Sequence, residues 1–181
     1  RHLCILPLFH MAGLTLALAA QLVGGASALM TRFDAGAAVD AIEAHGASFF
    51  ASFAPMLEQI LDAADARQAR LASLRIVSGL EPRSVSERLT RSYPRVEFWN
   101  GYGQTEAGGM VTLAPASDHP DSVGRPLAQV ALRIAAADGT EVPDGERGEI
   151  LVRSPGVFSG YLGQPEANAY AARGGWHHTG D

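Results

Sequence analysis

Lysine is absent from this 181-residue sequence; all 14 cationic side chains are arginine. No mechanism that needs a lysine amine can be completed by this chain alone. Cysteine occurs once, at Cys4, which excludes an internal disulfide and favours a reducing, cytoplasmic setting. Positive charge is scarce: the net charge is -5, so no basic surface for nucleic acid is expected. No apolar run reaches the roughly 18 residues of a membrane helix. The stretch from Ala12 to Leu29 comes closest, and Gln21, the Gly24-Gly25 pair and Ser27 interrupt it. The sequence opens on Arg1 rather than Met and stops at Asp181, so it is expected to be a piece of a longer protein, and no targeting signal can be judged from it.

What is present describes a globular chain: 47% hydrophobic and 18% charged residues, enough for an ordinary core. Leu3 to Leu6, Ala26 to Met30, Ser48 to Phe53, Leu74 to Val77 and Val96 to Trp99 read as short buried strands. Helices are expected between them. One runs near Leu14 to Leu22. A second is capped by Asp34 and ended by Gly46. A third has Pro55 in its first turn and Met56, Leu57, Ile60 and Leu61 on one side. A fourth covers Arg83 to Arg91. This alternation predicts an α/β fold, a mainly parallel sheet with flanking helices. Past Pro115 the pattern changes to short strands, at Val130 to Ile134, Glu149 to Val152 and Val157 to Tyr161, joined by Asp-Gly turns. The expected division is an α/β subdomain at residues 1–118 and a β-rich, barrel-like subdomain at 119–181.

Asn100-Gly101-Tyr102-Gly103-Gln104-Thr105-Glu106 gathers an aromatic ring, two glycines, a hydroxyl and a carboxylate into seven residues. A ring can stack on a base, a hydroxyl can donate to a phosphate oxygen, and a carboxylate can hold magnesium. A Gly-rich stretch after a strand is also simply a turn, and Tyr102 is also a candidate core residue beside Trp99. Placement adds weight. Ser78-Gly79 and Gly101-Tyr102 both fall at the carboxyl ends of predicted strands, where open α/β sheets bind ligands.

Five segments occur in order: Pro7-Leu8-Phe9-His10, Ser78-Gly79-Leu80-Glu81-Pro82, Gly101 to Glu106, Gly145-Glu146-Arg147-Gly148-Glu149-Ile150, and Gly175-Trp176-His177-His178-Thr179-Gly180-Asp181. Together they resemble the adenylate-forming (AMP-binding) superfamily, which holds acyl-CoA synthetases, firefly luciferase and peptide-synthetase adenylation domains. The resemblance covers nearly the whole chain. It implies part of the large N-terminal domain of such an enzyme, with ATP, magnesium and CoA as cofactor and co-substrates and a small carboxylic acid as partner.

The implied roles follow the motifs. Tyr102 stacks on adenine, with Asn100, Gly101, Gly103 and Gln104 around it. Thr105 bonds the α-phosphate and Glu106 holds magnesium. Ser78, Gly79, Leu80, Glu81 and Pro82 border the adenine. Asp181 receives the ribose hydroxyls. His10 stands between the nucleotide and acyl pockets, and Met11, Val77 and Gly101 help line the acyl pocket. His177 and His178 with Asp181 make a poor metal set, and loop exposure accounts for the two histidines. At Leu8-Phe9-His10-Met11 no carboxylate waits for a substrate ammonium, so an acid without an α-amino group is favoured, with fatty acid metabolism as the setting. Asn100 departs from the Gln or Glu of many acyl-CoA ligases, which leaves the subfamily open. The family's lysine-bearing phosphate loop and C-terminal domain are both absent, so the isolated chain is expected to be inactive. A peptide-synthetase adenylation domain and a degenerate, non-catalytic nucleotide-binding or scaffold module remain as alternatives.

Overall fold

The computed structural model describes all 181 residues. A seven-stranded, mostly parallel sheet with flanking helices is accompanied by a separate three-stranded antiparallel sheet. The chain divides into two compact units: 1–101 with 113–124, and 102–112 with 125–181. No helix is long and apolar enough to cross a membrane.

The first unit alternates strand and helix: β1 (His2–Cys4), α1 (Met11–Leu22), β2 (Ser27–Leu29), α2 (Ala35–His45), β3 (Phe49–Phe53), α3 (Met56–Arg67), β4 (Ile76–Leu80), α4 (Arg83–Ser92) and the start of β5 (Glu97–Gln104). The strand order is β2-β1-β3-β4-β5, and every pairing among these five is parallel. The inner strands β1, β3 and β4 are largely buried, which is why they read as apolar runs rather than as alternation. Local chemistry sets the helix ends. Asp34 Oδ1 accepts from the Ala37 amide at 2.7 Å, and Gly46 closes α2 in the left-handed conformation. α3 buries Leu57, Ile60, Leu61 and Ala64 along one stripe, the spacing of a single helix face. Phe50, Ile42 and Leu3, each fully buried, anchor the core.

The second unit contains β8 (Ala131–Ala135), β9 (Glu149–Arg153) and β10 (His177–His178), antiparallel in the order β10-β9-β8, together with the short helix α5 (Pro165–Ala171). β6 (Gly109–Pro115) runs through both units, and β7 is the Arg125–Pro126 pair. The second unit's core is small: Ala107, Val111 and Val152, with Tyr102, Ile150 and Val157 half-buried against them.

Three local expectations are corrected. β5 does not stop at Trp99 but continues to Gln104. Gly103 serves close approach there rather than a turn, since a Cβ would lie 2.1 Å from the Gly109 carbonyl oxygen. Val157 to Tyr161 forms no strand. Its backbone is bonded elsewhere: the Phe158 amide donates to the Glu106 carbonyl, and the Tyr161 amide to Asn168 Oδ1 at 2.6 Å. α5 was not anticipated, although Pro165 at its first position and Glu166 in its first turn are ordinary start signals.

Candidate functional site

In the first unit, β4 delivers Ser78 to Leu80, and Pro82 starts α4. Gly79 pairs with Ser52 of β3, and a Cβ at position 79 would lie 1.8 Å from the Ser52 carbonyl oxygen. Its φ of 152° lies where side chains are strained as well, so only glycine fits. Glu81 turns its side chain onto the start of α3. Its Oε1 accepts from Ser52 Oγ at 2.6 Å and from the Leu57 amide at 3.2 Å, while Oε2 is buried without a partner. Burial pushes its carboxyl up, helped by the nearby Glu58 charge and opposed by those two hydrogen bonds.

His10 caps α1: its Nδ1 accepts from the Ala12 amide at 3.2 Å. That bond leaves the proton of the neutral ring on Nε2. His10 also lines a cavity of about 340 Å³ with Leu6, Pro7, Phe33, Phe53 and Met56. The cavity lies beyond the carboxyl ends of β1 and β3, where the strand order reverses; open α/β sheets bind ligands at this point. Val77 is wholly inside the core, Gly101 is buried, and Asn100 donates from Nδ2 to the Pro120 carbonyl at 3.2 Å.

The second unit brings three expected residues together. The Tyr102 hydroxyl donates to Asp181 Oδ2 at 2.5 Å. Gln104 Nε2 lies 3.3 Å from the same oxygen, 3.4 Å from the Tyr102 hydroxyl and 3.4 Å from the Thr179 carbonyl. Burial, and then its bond to the Asp181 carboxylate, push the Tyr102 hydroxyl up to about 12, so it remains a donor near neutrality. Asp181 is held by its backbone. Its carbonyl accepts from the Ile150 amide, its amide donates to Thr179 Oγ1 at 3.2 Å, and that hydroxyl donates to the Ile150 carbonyl at 2.7 Å. Glu149 anchors the same turn through Oε1, which accepts from the Gly180 amide at 3.0 Å.

Thr105 and Glu106 open a 3-10 turn, Thr105–Ala107, closed by Gly108 in the left-handed conformation. The Thr105 side chain is exposed. Glu106 Oε1 accepts from the Tyr161 hydroxyl at 2.8 Å, which raises that hydroxyl's own pKa. Only one carboxylate oxygen is engaged, which leaves a hard anionic oxygen of the kind magnesium takes with phosphate oxygens. The donor chemistry therefore fits a magnesium–nucleotide complex.

The expectation that loop exposure explains His177 and His178 is overturned. They form β10 and are 4% and 7% exposed. His178 Nδ1 lies 2.7 Å from Glu149 Oε2, and Arg173 Nε donates to its other nitrogen at 3.2 Å. Burial opposes ionisation of Glu149, but hydrogen bonds from His178 and Gly180, with the Arg173 charge, outweigh it and hold its carboxyl low. Tyr161, Glu149 and His177 are the contributors that sequence reasoning left unassigned. Glu149 sat inside a recognised segment, whereas nothing in the sequence pairs Tyr161 with Glu106, 55 positions away.

Comparison with known proteins identifies the family. The AMP-binding enzyme family matches residues 1–162. A feruloyl-CoA synthase of Amycolatopsis is 37% identical over the whole chain, which spans 38% of that protein's length. A Rhodopseudomonas palustris protein assigned as a long-chain-fatty-acid CoA ligase superimposes over 99% of the chain and 45% of its own, with a TM-score of 0.95 and 46% identity. The o-succinylbenzoate CoA synthetase of Bacillus subtilis, solved with its acyl-adenylate intermediate, gives a TM-score of 0.88 at 25% identity over all of this chain and 37% of its own. The chain thus spans less than half the length of these relatives. With its family match and its strand-and-turn architecture, it belongs to the AMP-binding enzyme family.

Proposed function

We propose that the protein containing this chain is an ATP-dependent, AMP-forming carboxylic acid–CoA ligase, and that its acid carries an aryl group. One observation carries the nucleotide half: the Tyr102 hydroxyl and Gln104 amide converge on Asp181 Oδ2, while Oδ1 accepts no hydrogen bond within the chain. A carboxylate fixed on one side and open on the other suits a ribose diol, which offers two donors. The half-buried Tyr102 ring supplies a face for adenine. The aryl reading is supported by the feruloyl-CoA and o-succinylbenzoate-CoA relatives and by the apolar lining of the His10 cavity.

In the proposed reaction the acid's carboxylate attacks the α-phosphorus of ATP, pyrophosphate leaves, and a CoA thiol then displaces AMP from the acyl-adenylate. The Thr105 hydroxyl donates to the α-phosphate, and Glu106 holds magnesium. Bound magnesium neutralises charge on the phosphate oxygens. Ser78 to Pro82, Asn100 and Gly101 contact the base in this reading, and Gly79 allows the close packing of β4 on β3. His10, with its proton on Nε2, donates toward the acyl side. No covalent intermediate with the protein is required, so positioning accounts for most of the rate. The chain has no lysine, and we propose that it is inactive alone.

The test is pyrophosphate release by the full-length parent with ferulate, 4-coumarate, indoleacetate and a series of fatty acids, each with and without CoA. Release with the aryl acids and formation of the thioester are expected. A preference for alkyl acids would refute the aryl assignment. Transfer to a carrier-protein thiol instead of CoA would favour a peptide-synthetase domain, and nucleotide binding without turnover a scaffold. Glu106→Ala is expected to lower the magnesium-dependent rate by about 100-fold; unchanged magnesium dependence would remove Glu106 from its role.

A further inference from the structure

The second unit contains a buried histidine with no partner for one nitrogen. His177 is 4% exposed, and its Nδ1 has no hydrogen-bond partner. Its Nε2 lies 2.6 Å from Gln104 Oε1. The Gln104 amide orientation follows from its surroundings. Its nitrogen faces the Thr179 carbonyl and the Asp181 carboxylate, both pure acceptors, so the NH₂ group must point that way and the oxygen toward His177. His177 must therefore carry a proton on Nε2, and in the neutral ring that leaves Nδ1 as a bare acceptor in a dry place. A buried acceptor without a donor costs free energy, and a phenylalanine of similar shape would avoid that cost. The fold instead keeps a ring that can donate to Gln104.

We infer that His177 is a positioning residue for the nucleotide: its Nε2–H fixes the Gln104 amide, and Gln104 together with Tyr102 sets the direction in which Asp181 presents its open oxygen. The inference rests on the reading of Asp181 as the ribose acceptor. The lever is short, because the His177–Gln104 contact is the tightest of the four that Gln104 makes, and its three contacts through nitrogen are 3.3 to 3.4 Å. Without His177 the amide is free to rotate or flip, and a flipped amide places oxygen against the Asp181 carboxylate. The ring is itself braced edge-on by Phe158, with centroids 5.5 Å apart. Its aim therefore does not depend on the missing Nδ1 bond.

The experiment uses the full-length parent and two variants. His177→Phe keeps the ring and its packing but deletes the donor; His177→Gln restores a donor at about the place of Nε2. AMP affinity is measured by calorimetry, KM for ATP and for the acid and kcat by pyrophosphate release, and folding by thermal melting. His177→Phe is expected to weaken AMP binding and raise KM for ATP by about 5- to 30-fold. KM for the acid should change less than about twofold and the melting curve should stay near that of the wild type, with kcat changing less than KM for ATP. His177→Gln should recover most of the AMP affinity. Wild-type AMP affinity in His177→Phe overturns the inference, as does an equal loss in both variants. Should the parent bind AMP but turn over no acid, the ligase reading fails while the binding comparison still decides the role of His177. A parent that does not bind AMP overturns both.

Discussion

In the first unit, 20 buried apolar residues form one continuous core, from Leu3 to Phe98. In the second the buried apolar residues are few: Ala107, Val111 and Val152 form one small cluster, and Ala135, Leu151 and Ala171 are buried besides. Polar and aromatic contacts take the place of bulk there. Glu149 joins His178 and the Gly180 amide, Arg133 and Arg153 lie over the Trp176 ring at 4.4 and 4.6 Å, and Thr179 ties the final turn to β9. The difference bears on function. In the first unit the bulk of the fold rests on the apolar core, and His10, Gly79 and Glu81 are the proposed ligand residues that also brace it. In the second, Tyr102, Gln104 and Asp181, proposed above to hold the nucleotide, belong to the network that holds the unit, so a change to one is expected to alter binding and local order together.

Substitutions sharpen this contrast in a graded way. The largest effect is expected from Phe50→Ala, which opens a void at a fully buried position; about 3–5 kcal/mol of stability should be lost in urea unfolding. Gly79→Ala comes next. Its methyl would clash with the Ser52 carbonyl, so a loss of about 3 kcal/mol is expected, together with weaker nucleotide binding by the parent. In the second unit, Glu149→Gln should cost about 1–3 kcal/mol, because it leaves His178 and Arg173 facing a neutral group; local protection from hydrogen exchange should fall from Glu149 to Asp181 and stay unchanged in β1 to β4. At the small end, the exposed Asp40–Arg67 pair should matter little, with Asp40→Asn within about 0.5 kcal/mol.

Acid separates the units further. The Glu149 carboxyl is held below its ordinary value, so its contribution is complete above the unfolded pKa and is lost as pH falls through the folded one. The Glu81 carboxyl is raised, so its contribution is complete below the unfolded pKa and is lost as pH rises through the folded one. Hydrogen exchange followed from about pH 6 to about pH 3 should therefore show Glu149 favouring opening of the second unit while Glu81 favours closure of the first. Equal acid responses in the Glu149→Gln and wild-type proteins would contradict this assignment.

The alternation of strand and helix was legible because the first unit's elements carry their own signals: continuous apolar runs for buried parallel strands, Asp34 and Gly46 at the ends of α2, and the Leu57-Ile60-Leu61 stripe of α3. The second unit was harder to read. Its strands are short, its core is small, and its order depends on side-chain bonds between distant residues. Val157 to Tyr161 has a strand-like composition yet finds its partners in Glu106 and Asn168, and His177 and His178 looked like exposed loop residues because the half-buried carboxylate and amide that receive them lie far away in sequence. The site showed the same split. Motif order picked out Tyr102, Gln104 and Asp181, which the fold brings into contact, but gave no sign of the Glu106–Tyr161 bond or of Glu81 turning inward to cap α3.

The proposed attack of a substrate carboxylate on the α-phosphorus of ATP determines which products form. Phosphorus NMR of the full-length parent turning over ferulate with ATP and CoA tests it most directly. Stoichiometric AMP and pyrophosphate are expected, with turnover at sub-saturating ATP reduced by about 100-fold in Asp181→Ala as the proposed ribose acceptor is lost. ADP and inorganic phosphate as products, or an Asp181→Ala variant that retains the wild-type KM for ATP, would contradict it.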